Sequence, residues 1–110
     1  MISNIDIIRK QTKNSYMRVY TKKYTKYLKY FVRKVSREMK KGFYKFVTEL
    51  EVLDEVEIRA IKDVLKSFTE VGYGTEFCIY NSGSTFFSGN PYYSIRLSIS
   101  WEENNNDSKG

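Results

Sequence analysis

The longest run of regularly spaced apolar positions in this chain has the period of an α-helix. Between residues 20 and 50 these positions recur in steps of three and four over roughly eight turns. They are Tyr20, Tyr24, Tyr27, Leu28, Phe31, Val35, Met39, Phe43, Phe46, Val47 and Leu50. Because a glycine such as Gly42 costs about 1 kcal/mol inside a helix, the pattern predicts either one long helix or two helices that meet near Gly42.

A shorter helix is predicted before this stripe, over residues 4–13, with Ser3 or Asn4 as its N-cap. Asn14 and Ser15 are expected to interrupt it, since both residue types favour turns and caps. Residues 16–20 fit either a brief extended piece or the start of the long helix.

A further helical pattern begins at Asp54. Asp54 and Glu57 have the D-x-x-E spacing of a helix start, and both carboxylates suit the positive end of a helix. The core-facing stripe of this helix is Val56, Ile58, Ile61, Val64, Leu65 and Phe68. Gly72 or Gly74 is predicted to end it.

After Gly74 the apolar period becomes that of a β-strand. Phe77 and Ile79 alternate with less apolar neighbours, and residues 93–101 alternate between large apolar side chains and Ser or Arg. We expect one face of these strands to pack on the helices and the Ser/Arg face to meet solvent. Residues 81–91 connect the strands through two turn signals, and residues 85–87 are a candidate third strand.

These patterns predict an α+β fold in which a long basic amphipathic helix and one or two further helices pack on a small C-terminal antiparallel β-hairpin or three-stranded sheet. We expect one compact domain over residues 1–101, helical over 1–72 and β over 75–101, and a disordered polar tail over 102–110. Cys78 has no disulfide partner in the chain, which fits a reducing cytosol, and its strand setting predicts a half-buried, inert thiol. Without a signal-peptide h-region or an apolar run of roughly 20 residues, the sequence predicts a soluble cytoplasmic protein and no membrane partner.

Charge is divided unevenly along the chain. Of the 19 Lys and Arg residues, 14 lie between Arg9 and Lys45, where Glu38 is the only acid, so this span carries +13. Residues 46–110 hold five bases and 11 acids, which gives −6. A chain polarised in this way presents a strongly positive surface, and such surfaces attract polyanions.

The bases of the long helix keep the helical period themselves. At about 100° per residue they form a row roughly opposite the apolar stripe, and Tyr30 lies toward this basic side. Lys and Arg neutralise phosphates, and an aromatic ring can stack on an unpaired base. The predicted nucleic-acid-binding residues are therefore Lys22, Lys26, Lys29, Tyr30, Arg33, Arg37 and Lys40.

Catalysis is not expected from this sequence. With no histidine and one cysteine, the chain cannot form Ser-His or Cys-His nucleophile pairs, His-bearing zinc sites or an all-thiolate metal site. It also lacks a Gly-rich phosphate loop. Capping and solvated surface explain its one carboxylate cluster better than a Mg²⁺ site does. That cluster is Glu49, Glu51, Asp54, Glu55 and Glu57. We predict a non-enzymatic protein with no cofactor and no metal.

Two functions from different classes fit these features. The first is a small protein that binds DNA or RNA through the phosphate backbone, without reading base sequence. The alternative is a phage- or mobile-element-type protein that binds and inhibits or modulates a host protein, such as a nucleic-acid-handling complex with an acidic surface. It would use the basic helix or the aromatic loop over residues 81–93, where the predicted contact residues are Phe86, Phe87 and Tyr92. A homodimer through Tyr24, Leu28, Phe31 and Val35 would cover the apolar stripe.

Overall fold

Over the residues that the structure describes, the fold consists of two helices and a three-stranded antiparallel sheet, and the predicted α+β class is confirmed. A computed structural model describes residues 4–52, 54–84 and 91–102. The elements in chain order are α1 (Ile5–Lys40), β1 (Lys45–Val52), α2 (Glu55–Glu70), β2 (Gly74–Ser84) and β3 (Pro91–Ser100). The predicted strand at residues 85–87 and the predicted tail from residue 103 onward lie outside the described residues.

Helix α1 is continuous over 36 residues. Asn4 is its N-cap, and the Asn4 Oδ1 accepts a hydrogen bond from the backbone N–H of Asp6 at 2.7 Å. The predicted interruption at Asn14 and Ser15 is wrong, and residues 16–20 are helical. Asn and Ser each cost less than about 1 kcal/mol relative to alanine in a helix, which is too little to break one that continues on both sides.

The helical pattern predicted to reach Leu50 ends at Lys40, because the chain reverses at Gly42. Gly42 has a φ of 88°, which side-chain-bearing residues rarely adopt. The N–H of Phe43 donates to the carbonyl of Glu38, and the N–H of Gly42 donates to the carbonyl of Met39, both at 3.0 Å. This pair of bonds is the Schellman motif that ends helices.

The same motif ends α2 at Gly72, as predicted. Gly72 has a φ of 108°, and the N–H of Tyr73 donates to the carbonyl of Phe68 at 3.1 Å. The rings of Phe68 and Tyr73 meet edge to face at 5.1 Å, which is the apolar contact that accompanies such an ending. At the other end of α2, Asp54 caps the backbone N–H of Glu57 at 2.8 Å, again as predicted.

Residues 45–52 form strand β1, although the spacing of their apolar residues predicts helix. Along β1 the buried and half-buried positions alternate with exposed ones, so Phe46, Leu50 and Val52 face the core. Strand β1 pairs with β3, and β3 pairs with β2, in the order β1-β3-β2. The sheet is therefore not wholly C-terminal, because one edge strand precedes α2.

The core lies between the inner face of the sheet and the two helices. Ile95, Leu97 and Ile99 of the central strand are buried, and they pack against α2 and against Phe31 of α1. The outer face of the sheet carries Arg96, which is exposed as expected. Ser94 and Ser98 of the same face are buried, contrary to expectation, and the Ser98 Oγ donates to Glu76 Oε1 at 3.1 Å. Short side chains on a central strand sit below their longer neighbours on the two edge strands.

Helix α1 is longer than the rest of the fold. At 1.5 Å per residue its 36 residues span about 54 Å, and the described molecule measures 69 × 33 × 28 Å. Residues 5–15 are exposed throughout, so roughly three turns extend past the body formed by α2 and the sheet. Neither of the two described helices has an apolar stretch of the length and composition that crossing a bilayer requires.

Candidate functional site

Tyrosine side chains fix the rotation of α1 about its axis. The Tyr20 hydroxyl donates to Asp63 of α2, the Tyr24 hydroxyl is 2.7 Å from the Ser67 Oγ, and the Tyr27 hydroxyl donates to Glu57 Oε1 at 3.1 Å. Tyr27 is buried and the other two tyrosines pack against the core, so this part of the apolar stripe faces inward. With this face turned inward, the opposite face of α1 must meet solvent.

Burial makes these hydroxyls hold their protons tightly. Desolvation, reinforced by the neighbouring Asp63 carboxylate, raises the pKa of Tyr20 to about 12. Desolvation and the Glu57 carboxylate raise the pKa of Tyr27 further above the ordinary tyrosine value. The two hydroxyls therefore act as hydrogen-bond donors to α2, and Lys23 adds an ion pair to Glu57 at 3.3 Å.

All six bases of the predicted row are exposed on the outward face of α1. From Lys22 to Lys40 the row spans about 27 Å at the helical rise. Across the described ranges, the ion pairs of the chain are formed by Arg9, Lys23 and Lys41, and none involves a base of the row. Exposed cations that form no ion pair among the described residues can bind an external anion without first breaking a salt bridge there.

Part of this row borders a groove of about 470 Å³ between α1 and β1. Its lining consists of Lys26, Tyr27, Lys29, Tyr30, Arg33 and Leu50. Four of the seven predicted binding residues therefore come together at one place: three cations and the Tyr30 ring. The other three lie on the same helix face outside the groove. They are Lys22 toward the N-terminus of α1, and Arg37 and Lys40 toward its C-terminus.

The position of Tyr30 is set by the core beneath it. Its ring meets the ring of the fully buried Phe31 edge to face, with centroids 5.5 Å apart and an interplanar angle of 63°. The Lys34 Nζ lies 5.4 Å from the centroid of the Tyr30 ring, a cation–π contact. Tyr30 is half-buried, so part of the ring remains open to the groove.

Tyr27 and Leu50 line the groove but are not among the predicted binding residues. The sequence pattern predicts Leu50 in a continuation of the long helix, where it could not face Tyr30. In the fold it projects from β1 toward the helices, opposite Ile95 in the strand register. The signal that identifies it is the two-residue period of Phe46, Leu50 and Val52 after Gly42.

The predicted acidic cluster contributes no side chain to the lining of the groove. Glu49 and Glu51 are exposed on the outward face of β1, in register with Arg96 and Ser94 of β3. Asp54 caps α2, and Glu57 is bonded to α1. Within the residues that the structure describes, no group of three or more acidic or thiol side chains is arranged to hold a metal ion.

The remaining predictions concern the dimer surface, the environment of Cys78 and the aromatic contact residues. Phe31 and Val35 are buried within the chain, so these two residues of the predicted dimer surface are already covered by α2 and the sheet. Cys78 is exposed on β2 and not half-buried, since its face of the sheet carries no helix. Tyr92 lies in β3, in register with Gly83, and Phe86 and Phe87 lie outside the described residues.

Comparison with protein-family models, with curated proteins and with solved structures found no match to this chain.

Proposed function

We propose that this chain is a small, non-enzymatic nucleic-acid-binding protein that contacts the phosphate backbone through the outward face of α1. The observation that supports this function best is the row of six exposed bases, which form no ion pair within the described residues and border the groove that contains Tyr30. A rigid helix holds these charges in line, so neutralising several phosphates at once requires little further ordering of the protein.

The distribution of charge favours contact with the backbone over recognition of bases. Lys and Arg on a single exposed helix face reach phosphate oxygens, and phosphate contacts carry no direct sequence information. The acids of α2 and of the outer sheet face would repel the same polyanion, which leaves α1 as the favoured surface. We therefore expect binding that depends weakly on base sequence and strongly on salt.

Fluorescence anisotropy with labelled single- and double-stranded DNA and RNA, at low and at physiological salt, tests this function. The variant is a triple charge reversal, Lys29→Glu with Arg33→Glu and Arg37→Glu. Its matched control is Lys45→Glu with Lys62→Glu and Lys66→Glu, which changes the net charge equally at exposed positions outside the row. Because all six side chains are exposed, both triple variants should keep thermal stability close to that of the parent.

Micromolar or tighter binding by the parent, lost in the row variant and retained in the control, is the expected result. Equal loss in both variants would mean that net charge alone attracts the nucleic acid. Binding by the row variant as tight as that of the parent would refute the proposed function, and so would a parent that binds no nucleic acid at low salt.

A second function is favoured by the projecting part of α1. Ile5, Ile7 and Ile8 lie there with about half or more of their side-chain surface exposed, among the bases Arg9 and Lys10. Exposed apolar side chains next to positive charge suit contact with an acidic protein surface. This would make the chain a modulator of another protein.

Two variants separate this second function from the first. Ile7→Ser with Ile8→Ser, or Phe86→Ala with Phe87→Ala, should abolish capture of a protein partner and leave oligonucleotide affinity unchanged. The row charge reversal should do the opposite if nucleic acid is the ligand.

A further inference from the structure

The groove between α1 and β1 has a composition that backbone contact alone does not require. Its apolar part is formed by Tyr27, Tyr30 and Leu50, and its cations are Lys26, Lys29 and Arg33. A helix face that touched only phosphates would need the bases and no aromatic groove beside them. A ligand that matches both parts carries negative charge next to a flat apolar group.

We propose that this groove holds an unstacked base of single-stranded nucleic acid, with the base on Tyr30 and the adjoining phosphates on Lys26, Lys29 and Arg33. The proposal rests on the nucleic-acid-binding function and assigns its preferred ligand as the single strand. A duplex keeps its bases paired and stacked inside, so it can offer the row its phosphates and cannot offer the groove a base.

The geometry of Tyr30 suits a stacking platform. Phe31, which is fully buried, contacts its ring edge to face, so little side-chain freedom remains to be lost on binding. Stacking on an aromatic ring tolerates any base, because every base has a π-face. The described lining also contains no Asn, Gln, Asp or Glu side chain to read the edges of adenine or cytosine.

The dimensions and the charge of the groove fit the same ligand. Its volume of about 470 Å³ lies within the roughly 300–1,000 Å³ of sites that bind small ligands, which is room for a base and its sugar. The three cations are spaced three and four residues apart along α1, so they follow the groove on one side. Leu50 closes the groove from β1 with an apolar surface.

Affinities of Tyr30 variants for a single strand and a duplex test the proposal. The probes are a labelled deoxythymidine oligomer of about twelve nucleotides and a duplex of the same length. We expect Tyr30→Ala to weaken single-strand binding about tenfold, the scale of one lost base–aromatic stack, and to leave duplex binding unchanged. Tyr30→Phe keeps the ring and should keep the affinity. The matched control is Tyr44→Ala, at an exposed tyrosine outside the groove.

Cross-linking of the unaltered protein tests whether a base lies against Tyr30 in the groove, even if Tyr30→Ala fails to fold. A photoreactive halogenated uracil placed in the oligomer should attach to the groove aromatics. Trypsin cuts after Lys26, Lys29 and Arg33, so Tyr30 leaves in the peptide of residues 30–33 and Tyr27 in the peptide of residues 27–29. The expected attachment site is the peptide of residues 30–33.

The outcomes separate this proposal from the function on which it rests. The groove assignment would be overturned if binding were salt-sensitive but equally tight for single strand and duplex, if Tyr30→Ala had no effect, and if the cross-link formed elsewhere. Backbone binding would remain supported by that result. Displacement of the oligomer by an acidic peptide of equal charge, at equal concentration, would show that the groove selects charge and not bases. Failure of the parent to bind either probe would overturn both proposals.

Discussion

The tyrosines of α1 have different roles, and burial decides the role of Tyr20, Tyr24, Tyr27 and Tyr30. The Tyr20 and Tyr27 hydroxyls donate hydrogen bonds to carboxylates of α2. The Tyr24 hydroxyl lies within hydrogen-bond distance of a serine hydroxyl of α2. Tyr30, only three residues beyond Tyr27, is held by Phe31 at the edge of the groove. A residue type that combines an apolar ring with a polar tip can serve both purposes.

The raised pKa values of Tyr20 and Tyr27 make stability fall at high pH. In the unfolded chain the pKa of Tyr20 returns to its ordinary value of 10, and in the folded chain it is about 12. Below pH 10 both states keep the proton and this contribution to stability is fully present. Above pH 10 the unfolded state binds fewer protons, so the free energy of unfolding falls and the contribution is lost as the pH passes about 12.

Urea unfolding at a series of pH values measures this effect. Tyr20→Phe, which cannot ionise, should flatten the decline between pH 10 and 12. Tyr44→Phe, at an exposed position, should leave the decline as in the parent. If the free energy of unfolding fell with pH in parallel for the parent and Tyr20→Phe, this would contradict the effect of the Tyr20–Asp63 hydrogen bond on the pKa of Tyr20.

Phe31 has the largest predicted contribution to stability of any α1 side chain. It is fully buried and contacts the rings of Tyr27, Tyr30 and Phe46. Phe31→Ala should therefore reduce the free energy of unfolding by about 3–5 kcal/mol, most of the stability of a typical small domain. Chemical denaturation checks this, with the next residue as control. Val32 is about half exposed, so Val32→Ala should change stability by no more than about 0.5 kcal/mol.

At the scale of elements, the ending of α1 determines the architecture. Helix α1 stops at Lys40 through backbone bonds around Gly42, and the chain then enters β1. If the helix continued, residues 45–52 could not pair with β3, and the central strand would lack one neighbour. The free backbone groups of β3 would then be left at an apolar core.

Substitution at Gly42 tests this ending. A Cβ at Gly42 would meet no atom within 4 Å, so the only penalty for Gly42→Ala is its left-handed backbone conformation. We expect Gly42→Ala to lower the free energy of unfolding by roughly 1–2 kcal/mol. Gly42→Asn should lower it less, because asparagine tolerates this conformation better. Equal stability of the parent and both variants, measured by thermal and chemical unfolding, would exclude a role for the positive φ.

For the whole molecule, folding converts a division of charge along the chain into a division in space. Helix α1 bears the basic row on its outward face, and the exposed acids of β1 lie on the outer face of the sheet. The six bases of the row span about 27 Å along a single helix face, so the basic surface is long and narrow. A linear polyanion matches that shape better than a compact ligand does.

The salt dependence of binding should show how many phosphates this surface neutralises. For single strands, the slope of log K against log salt is about −0.7 for each phosphate neutralised, so six bases would give a slope of up to about −4. Arg37→Gln, at a row position outside the groove, should reduce the slope by about 0.7 and weaken single strand and duplex alike. Anisotropy titrations at several salt concentrations measure this. An unchanged slope would remove Arg37 from the contact surface.

Much of the fold could be predicted from local properties of the sequence. The stripe of α1, the capped start and glycine ending of α2, and the alternation in β3 all depend on neighbours within a few residues. The exposure of the basic row follows from the same helical period, since a face opposite the buried stripe must meet solvent. Predicting these features does not require knowing which elements pack against each other.

The groove and strand β1 were decided only by the tertiary structure. Phe46 and Leu50 fit a helical spacing and a strand spacing equally well, so their local pattern is ambiguous. Pairing with β3 selects the strand, because those hydrogen bonds join residues some 50 positions apart in the chain. The same pairing brings Leu50 opposite Tyr30 and completes the groove. Sequence alone therefore determined which residues carry the positive charge, and long-range backbone pairing determined that an aromatic groove lies beside them.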